Sequence, residues 1–356
     1  MPTQPPIFDG HNDTILHIYF LEDGDDWSFN ERNDTGHIDL PRAREGGMFG
    51  GFFAIVAPHV GDEDDKLSRG GLVRTDEGYS IPMAPAMPAD QVRKYTEEAL
   101  EIFESLEADS EGQFFFAHSF EQVLAARRDR RLAALLHFEG AEAIDEDLEA
   151  LYQYYERGLR SVGIVWSRPN IFGHGVPFKF PSSPDTGPGL TDAGRRLVKA
   201  CNDLGVVVDL AHLNEAGFWD IEAITDKPLV VSHACCHAIC PSARNLTDRQ
   251  IDAIGATNGL IGINFFVGDL RDDGQFIADT PLDRIVDHID YVVDRIGVDH
   301  VAFGSDFDGA RMPTELADVA GLPRLIDALR RRGYDQGEVE KIANENWMRI
   351  LEVTIE

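Results

Sequence analysis

Short apolar segments alternate with amphipathic segments along most of the chain, and this alternation predicts an α/β fold. Eight of the apolar segments have the length of strands. They cover residues 6–9, 51–57, 132–137, 159–166, 206–211, 229–232, 260–264 and 300–304. Most are continuous apolar runs rather than alternating ones, which is typical of parallel strands that are covered on both faces.

Amphipathic helices are predicted between these strands. We expect them over residues 90–106, 120–128, 192–204 and 248–255, from residue 281 onwards, and after residues 323 and 335. Thr191 and Thr247 are suitable N-caps for two of them. Eight strands with intervening helices favour a (β/α)8 TIM barrel over an open doubly wound sheet. The glycine fingerprint of dinucleotide-binding sheets is also missing from the sequence.

We expect one barrel domain over residues 1–356, with loop insertions at 22–36 and 171–189. The second insertion is rich in Pro, Gly and Ser and follows a predicted strand. Loops that follow the strands of a barrel build the mouth of its active site. The 171–189 loop is therefore a candidate lid.

The net charge of the chain argues against two classes of binding partner. Sixty-three acidic residues against 32 basic ones give a formal net charge of −31. A surface this acidic repels phosphate backbones and anionic lipid, so neither nucleic acid nor a membrane is an expected partner. No apolar run of about 18 residues is present. Residues 1–6 lack the basic and apolar regions of a signal peptide, so we expect a soluble, cytoplasmic protein.

The four cysteines are too few for a disulfide framework. Three of them, Cys235, Cys236 and Cys240, fall within six residues, which raises the alternative of a thiolate zinc site. Their spacing, C-C-x-x-x-C, matches no common zinc module. We interpret them, together with Cys201, as reduced residues that pack in the interior.

Ionisable residues occur where five of the predicted strands end. They are His11 and Asp13, then Glu139, His212, His233 and Asp306. The carboxyl ends of barrel strands converge on one face, so these side chains are expected to lie within reach of a shared ion. Each residue alone is explained equally well as a turn, a cap or a hydrogen-bonded structural residue. Their recurrence on separate strands favours a metal site.

Imidazole nitrogen and carboxylate oxygen together suit zinc or a similar divalent ion. The ligand candidates are His11, Asp13, Glu139, His212 and His233. One tetrahedral catalytic zinc needs fewer ligands than this set provides. A carboxylate that bridges two ions is the natural arrangement for so many ligands. Asp9 is a candidate to support His11, and Asp308 is a candidate to orient the loop after Asp306.

Several short motifs resemble the membrane (renal-type) dipeptidases, peptidase family M19. They are D-G-H-N-D at 9–13, H-F-E-G at 137–140, D-L-A-H at 209–212, V-S-H at 231–233, A-R-N at 243–245 and G-S-D-F-D-G at 304–309. The spacing of 73 residues from Glu139 to His212, then 21 to His233 and 11 to Arg244, is also similar to that family. The resemblance extends over nearly the whole chain and implies a metal-dependent hydrolase barrel.

The resemblance implies two zinc ions per chain. His11 and Asp13 would hold one, His212 and His233 the other, and Glu139 would bridge both. A water shared by two zinc ions has a lowered pKa and supplies hydroxide near neutral pH.

The resemblance also implies the roles of two further residues. Asp306 would act beside Glu139 as the acid–base residue, and Arg244 would bind the carboxylate of a dipeptide, a task suited to a guanidinium. Members of the family are often homodimers, so a homodimer is one expected assembly.

The sequence departs from the family at Trp166, 27 residues after Glu139. Well-studied members have a substrate-contacting histidine at this position. An indole donates one hydrogen bond but cannot gain a proton. Either the Trp166 indole nitrogen is the donor to the substrate, or His174 on the candidate lid replaces it.

Three functions remain open at this point. The first is a dipeptidase that acts on L-Xaa-L-Xaa and in some cases L-Xaa-D-Xaa. The second is a related two-zinc amide hydrolase that acts on N-acyl amino acids or β-lactam-like rings. The third is a catalytically silent metal-binding or scaffold barrel, which the intact Asp306 and five intact ligand candidates argue against.

Overall fold

A parallel sheet of eight strands is the centre of the computed structural model, which describes residues 4–21, 26–58, 71–75 and 77–355. The strands are β1 (Ile7–Asn12), β2 (Met48–Ile55), β3 (Leu132–Glu139), β4 (Leu159–Gly163), β5 (Val207–Asp209), β6 (Val230–Ala234), β7 (Leu260–Ile263) and β8 (Val301–Phe303). Each strand pairs in parallel with the next one along the chain. All eight predicted strands are present.

The segment that follows β8 nearly closes this sheet into a barrel. Asn12 and Phe307 form a parallel bridge. The backbone N–H of Asp306 donates to the carbonyl of His11 at 3.0 Å, and the N–H of Asp13 donates to the carbonyl of Phe307 at 2.7 Å. The predicted (β/α)8 barrel is confirmed.

Helices lie between the strands as predicted. Within the described ranges they are α1 (Thr14–Tyr19), α2 (Leu40–Gly46), α3 (Ala89–Asp109), α4 (Phe120–Asp129), α5 (Glu149–Glu156), α6 (Asp192–Leu204), α7 (Glu215–Glu222), α8 (Asp248–Ala256), α9 (Val267–Leu270), α10 (Asp283–Ile296), α11 (Leu322–Arg332), α12 (Gln336–Glu340) and α13 (Asn346–Thr354). Short 3-10 turns occupy Val298–His300 and Val319–Gly321, and a π-helical turn occupies Lys341–Glu345. The Thr191 side chain accepts from the N–H of Gly194, and Thr247 forms a capping box with Gln250, so both predicted caps are confirmed.

Three strands extend further than the apolar pattern indicates. β1 continues to Asn12, which pairs with Phe53, and β3 continues to Glu139, which pairs with Gly163. β6 likewise continues through His233. Because the strands continue, His11, Glu139 and His233 lie within strands rather than on the loops after them.

A small antiparallel sheet was not predicted. It consists of Val73–Thr75, Gly78–Ser80 and Lys179–Phe180. Its third strand comes from the predicted 171–189 insertion. The predicted 22–36 insertion is described only from residue 26 onwards, since residues 22–25 lie outside the described part. A further short strand, Phe114–Phe116, pairs with the start of β3.

Trp347 of α13 fills part of the barrel interior. Its side chain is fully buried, and its indole N–H donates to the carbonyl of Phe303 in β8 at 2.9 Å. Its ring packs against Phe8 of β1 and Phe52 of β2. A Cβ on Gly10 would lie 2.4 Å from the same ring, so the close approach requires glycine. No helix among the described residues is both long enough and apolar enough to cross a membrane.

We predict that Trp347→Ala lowers the free energy of unfolding by about 3–5 kcal/mol, because it leaves a large cavity and an unpaired carbonyl in the barrel. Urea unfolding followed by circular dichroism measures this loss. The matched control is Trp219→Ala on α7, where the indole is only partly buried and bonds to Glu215 at the surface. Equal unfolding midpoints for the two variants would contradict the central packing role of Trp347.

Candidate metal and active site

The predicted ligand residues converge on one pocket at the carboxyl ends of the strands. His11, Glu139, His212 and His233 are at most 4 % exposed, and Asp13 is 3 % exposed. The pocket is lined on this side by Asp13, Glu139, His212 and Asp306. Its opposite walls are mainly apolar and aromatic: Val56, Ile81, Trp166, Phe178, Phe266 and Phe276.

The carboxylate of Glu139 lies at the centre of the cluster of ligand residues. Its Oε1 lies 2.8 Å from His212 Nε2, 3.4 Å from His233 Nε2 and 3.8 Å from His11 Nε2. His11 Nε2 is in turn 3.5 Å from Asp13 Oδ2. Three overlapping groups of potential ligands result: the His11 group (His11, Asp13, Glu139), the His212 group (His212, His233, Glu139) and a third group of His11, His233 and Asp306. Glu139 belongs to the first two.

The donor atoms of this cluster fit a cation. In the part of the chain that the structure describes, three buried atoms of the cluster have no hydrogen-bond partner. They are the two ring nitrogens of His11 and Asp13 Oδ1. Leaving such groups unpaired costs free energy. Histidine nitrogen and carboxylate oxygen in this number are the ligands that zinc and similar divalent ions prefer. These residues therefore fit a divalent metal ion.

Burial shifts the protonation equilibria of the site in opposite directions for acids and bases. It raises the pKa of Asp13 to about 8, with the nearby charge of Asp308 as the second cause. It also raises the pKa of Glu139 well above its ordinary value. It holds the pKa values of His212 and His233 well below the ordinary range of histidine, so both rings are neutral donors.

Asp306 lies where the chain enters the left-handed region, with φ of 61°. Its Oδ2 accepts a hydrogen bond from Asn264 Nδ2 at 3.0 Å. Burial and then the charge of Asp13 raise its pKa to about 7, which suits a group that takes and returns protons near neutrality. A Cβ on Gly309 would lie 1.9 Å from Asp13 Oδ2, so only glycine lets this loop approach the site.

Serine hydroxyls contact the far nitrogens of two ligand histidines. Ser167 Oγ lies 2.7 Å from His212 Nδ1, and Ser232 Oγ lies 2.8 Å from His233 Nδ1. Ser232 also donates to the buried carboxylate of Asp209. The sequence analysis missed these serines, because a serine beside a strand end has no pattern that distinguishes it from a turn residue.

Arg244 brings a buried positive charge to the same pocket. Its side chain is 5 % exposed, and Nη2 makes one long hydrogen bond of 3.4 Å, to the carbonyl of His233. No described carboxylate lies within 4.0 Å of its guanidinium, which therefore has free donors for an incoming anion. Asp269, which the sequence analysis also missed, lines the pocket as well. Its pKa is raised by burial and lowered by Arg244.

Comparison with known proteins identifies the family of this chain. The family model of membrane dipeptidase (peptidase family M19) matches residues 1–356. The chain belongs to this family. A metallopeptidase from Rhodobacter sphaeroides, solved with a phosphinate mimic of the dipeptide L-Ala-D-Ala, is 42 % identical, with a TM-score of 0.91 over 99 % of this chain and 100 % of that one.

Two further relatives agree with this membership. A solved structure of the dipeptidase AC, of family M19, is also 42 % identical, with a TM-score of 0.88 and 99 % of each chain covered. A dipeptidase of Claviceps purpurea is 27 % identical over 96 % of this chain and 76 % of its own. The family and these relatives make the protein a metal-dependent hydrolase of dipeptides.

Trp166 lines the pocket of this dipeptidase, whereas His174 is not among the described lining residues. The Trp166 ring packs against Phe178 with centroids 5.5 Å apart, and the Arg168 guanidinium lies 4.8 Å from its centroid. His174 pairs through its backbone with Pro169, and its carbonyl accepts from the N–H of Asn214.

Other polar residues singled out in the sequence lie outside the ligand set. His237 Nε2 lies 2.9 Å from the carbonyl of Ser182. Asp308 accepts from Thr14 and from the N–H of His37, so it orients its loop. The four cysteines are buried and free, and Cys235 Sγ lies 3.3 Å from the carbonyl of Asn264. Asp9 accepts hydrogen bonds from Ser305 instead of contacting the His11 ring.

The raised pKa of Asp13 predicts a pH-dependent stability of the metal-free dipeptidase. The folded state holds this proton more tightly than the unfolded chain, so stability is lost as pH rises towards about 8. The depressed pKa values of His212 and His233 have the opposite effect, but only below the ordinary histidine pKa of 6.5. Between pH 6.5 and 8 we therefore expect a falling Tm in protein stripped of metal.

Thermal unfolding of stripped protein across this pH range checks the expectation. Asp13→Asn cannot ionise, so its Tm should fall less steeply with pH than that of the parent. Asp147→Asn, at an exposed position, is the matched control. Identical slopes for the parent and Asp13→Asn would show that the buried carboxyl does not couple to folding.

Proposed function

We propose that this chain is a two-zinc dipeptidase that cleaves dipeptides with free termini, both L-Xaa-L-Xaa and L-Xaa-D-Xaa. The single observation that carries the proposal is the position of Glu139, whose Oε1 lies 2.8–3.8 Å from histidine nitrogens of both ligand groups. A carboxylate in this place is suited to bridge two ions. His11 and Asp13 would complete one ion's ligands, and His212 and His233 those of the other.

Bound zinc would supply Lewis acidity towards the scissile carbonyl and a water of lowered pKa. The chain itself moves the proton. The carboxyl of Asp306, with a pKa near 7, accepts a proton from the attacking water and returns it to the leaving amine. Asn264 donates to one oxygen of that carboxyl and so fixes its orientation.

Arg244 would bind the carboxylate of the substrate's second residue. Its buried guanidinium has unused donors and no described carboxylate within salt-bridge distance, so an incoming carboxylate regains the pairing that burial has removed. This contact explains a preference for dipeptides over longer chains, because a third residue would convert the carboxylate into an amide.

Trp166 would donate its indole N–H to the substrate carbonyl oxygen as negative charge develops there. The ring is 8 % exposed, lines the pocket and lies with its centroid 5.9 Å from that of His212. We prefer Trp166 to His174 for this role, because His174 is not among the described residues that line the pocket. Acceptance of a D residue is supported by the Rhodobacter sphaeroides relative, which was solved with a mimic of L-Ala-D-Ala.

Metal analysis and a substrate panel test the proposal together. We expect close to two zinc ions per purified chain, and loss of activity on chelation that added zinc restores. We expect turnover of L,L- and L,D-dipeptides but not of their N-acetylated analogues. One ion per chain would contradict the bridging role of Glu139. Equal turnover of acetylated substrates would favour the alternative, an amide hydrolase of N-acyl amino acids.

Arg244→Met should lower kcat/KM for dipeptides by about 10–100-fold, the loss expected when one charge-assisted hydrogen-bonded contact is removed. The matched substrate is the corresponding dipeptide amide, which lacks the carboxylate. The parent and the variant should hydrolyse the amide at similar rates. An equal loss of activity on the dipeptide and on its amide, with unchanged zinc content, would show that Arg244 does not bind the carboxylate of the substrate.

Trp166→Phe keeps the ring and removes the N–H. We expect kcat to fall by about 10–100-fold with little change in KM, because the donor acts mainly on charge that develops in the transition state. His174→Ala is the control and should keep kcat. The reverse result, with a slow His174 variant and a normal Trp166 variant, would assign the donor to the 171–189 loop.

A further inference from the structure

The two histidines of the His212 group have different partners behind their rings. Each has a buried serine hydroxyl at its Nδ1, at 2.7 Å for Ser167 and His212 and at 2.8 Å for Ser232 and His233. Behind Ser232 a third group follows, the carboxylate of Asp209. The described contacts of the Ser167 side chain include only His212.

The Asp209 carboxylate leaves Ser232 with one hydrogen-bonding arrangement. Asp209 Oδ1 accepts from the backbone N–H of Ser232 at 2.7 Å and from that of Ala211 at 3.1 Å. Its Oδ2 lies 2.5 Å from Ser232 Oγ and 3.6 Å from Nε2 of the buried His137. All of these groups are buried, and Asp209 is 1 % exposed. A hydroxyl has one hydrogen, so Ser232 donates it to the carboxylate and presents a lone pair to His233.

The arrangement at Ser232 determines which nitrogen of His233 carries the proton. With Ser232 as the acceptor, His233 Nδ1–H donates to it. The Nε2 lone pair then faces His212 Nε2 at 3.1 Å and Glu139 Oε1 at 3.4 Å, the other two members of the same ligand group. We propose that Asp209 and Ser232 act as a positioning relay that holds His233 in the metal-binding tautomer. A carboxylate behind the ring also increases the donor strength of the imidazole. Among the residues that the structure describes, no carboxylate forms a hydrogen bond with Ser167 behind His212.

This inference rests on the proposed two-zinc site and makes its two ligand groups unequal. The ion held by the His212 group depends on the relay, whereas the ion held by the His11 group does not. Asp209 and Ser232 touch neither substrate nor ion. They act through the ring of His233.

Two variants separate the relay from a merely structural role. Ser232→Ala leaves His233 Nδ1 without its acceptor while Asp209 keeps both backbone hydrogen bonds. Asp209→Asn is more severe. Its Oδ1 must still face the two N–H groups, so its amide nitrogen points at Ser232 Oγ and donates. Ser232 then donates to His233 Nδ1, and the proton moves to Nε2, where it blocks the metal.

The experiment is a zinc titration of metal-free protein against a chromophoric chelator. The parent should bind two equivalents tightly. Ser232→Ala should keep one tight equivalent and bind the second about tenfold more weakly. Asp209→Asn should weaken the second equivalent by about 100-fold, and these values span the usual range for partners behind a metal ligand. Ser167→Ala is the matched control and should lose less than Ser232→Ala.

A second measurement distinguishes a change in the tautomer of His233 from misfolding of the variant. The ring-nitrogen NMR shifts of metal-free protein should report Nδ1–H at His233 in the parent and Nε2–H in Asp209→Asn, while circular dichroism stays unchanged. Parent-like binding by both variants would overturn the relay, as would an equal loss in Ser167→Ala and Ser232→Ala. Fewer than two equivalents in the parent would instead contradict the two-zinc proposal itself.

Discussion

Hydrogen bonds between a buried carboxylate on one strand and a serine on or after a neighbouring strand hold the active face together. Asp9 of β1 accepts from the N–H and the hydroxyl of Ser305, both at 2.8 Å, just after β8. Asp209 of β5 makes the same pair of contacts with Ser232 of β6. In each pair the serine directly precedes a site residue, Asp306 or His233. The two carboxylates therefore fix both the strand register and the site.

Hydrogen bonds between the strands make it possible to bury so many ionisable groups in one place. A cluster that buries the carboxyl groups of Asp13, Glu139 and Asp306 beside three imidazoles is costly to desolvate, and the raised pKa of Asp13 reflects that cost. A flexible loop would move to expose such groups to water. Paired strands move far less, so the three ligands that lie within strands, His11, Glu139 and His233, stay in place for a bound cation.

Much of the fold and of the site could be predicted from the sequence, for physical reasons. Strands covered on both faces need continuous apolar runs, and His11, Glu139 and His233 stand out because they end such runs. The hydrogen-bonded shell around them could not be predicted. Whether Ser232 meets Asp209, or Asn264 meets Asp306, depends on the register of neighbouring strands, which apolar composition does not encode. The position of Asp269 in the pocket wall could not be predicted either, because it lies on a four-residue helix with no periodicity.

The packing of Trp347 also constrains how the protein is made. This side chain joins residues near the end of the chain to Phe8, near its start, across the interior of the barrel. During synthesis, β1 is translated long before the residue that completes its packing leaves the ribosome. The barrel interior, and with it a rigid set of ligands, is assembled only after almost all of the 356 residues have been made. The packing of the barrel interior therefore depends on contacts between residues far apart in the sequence, and such contacts form slowly during folding.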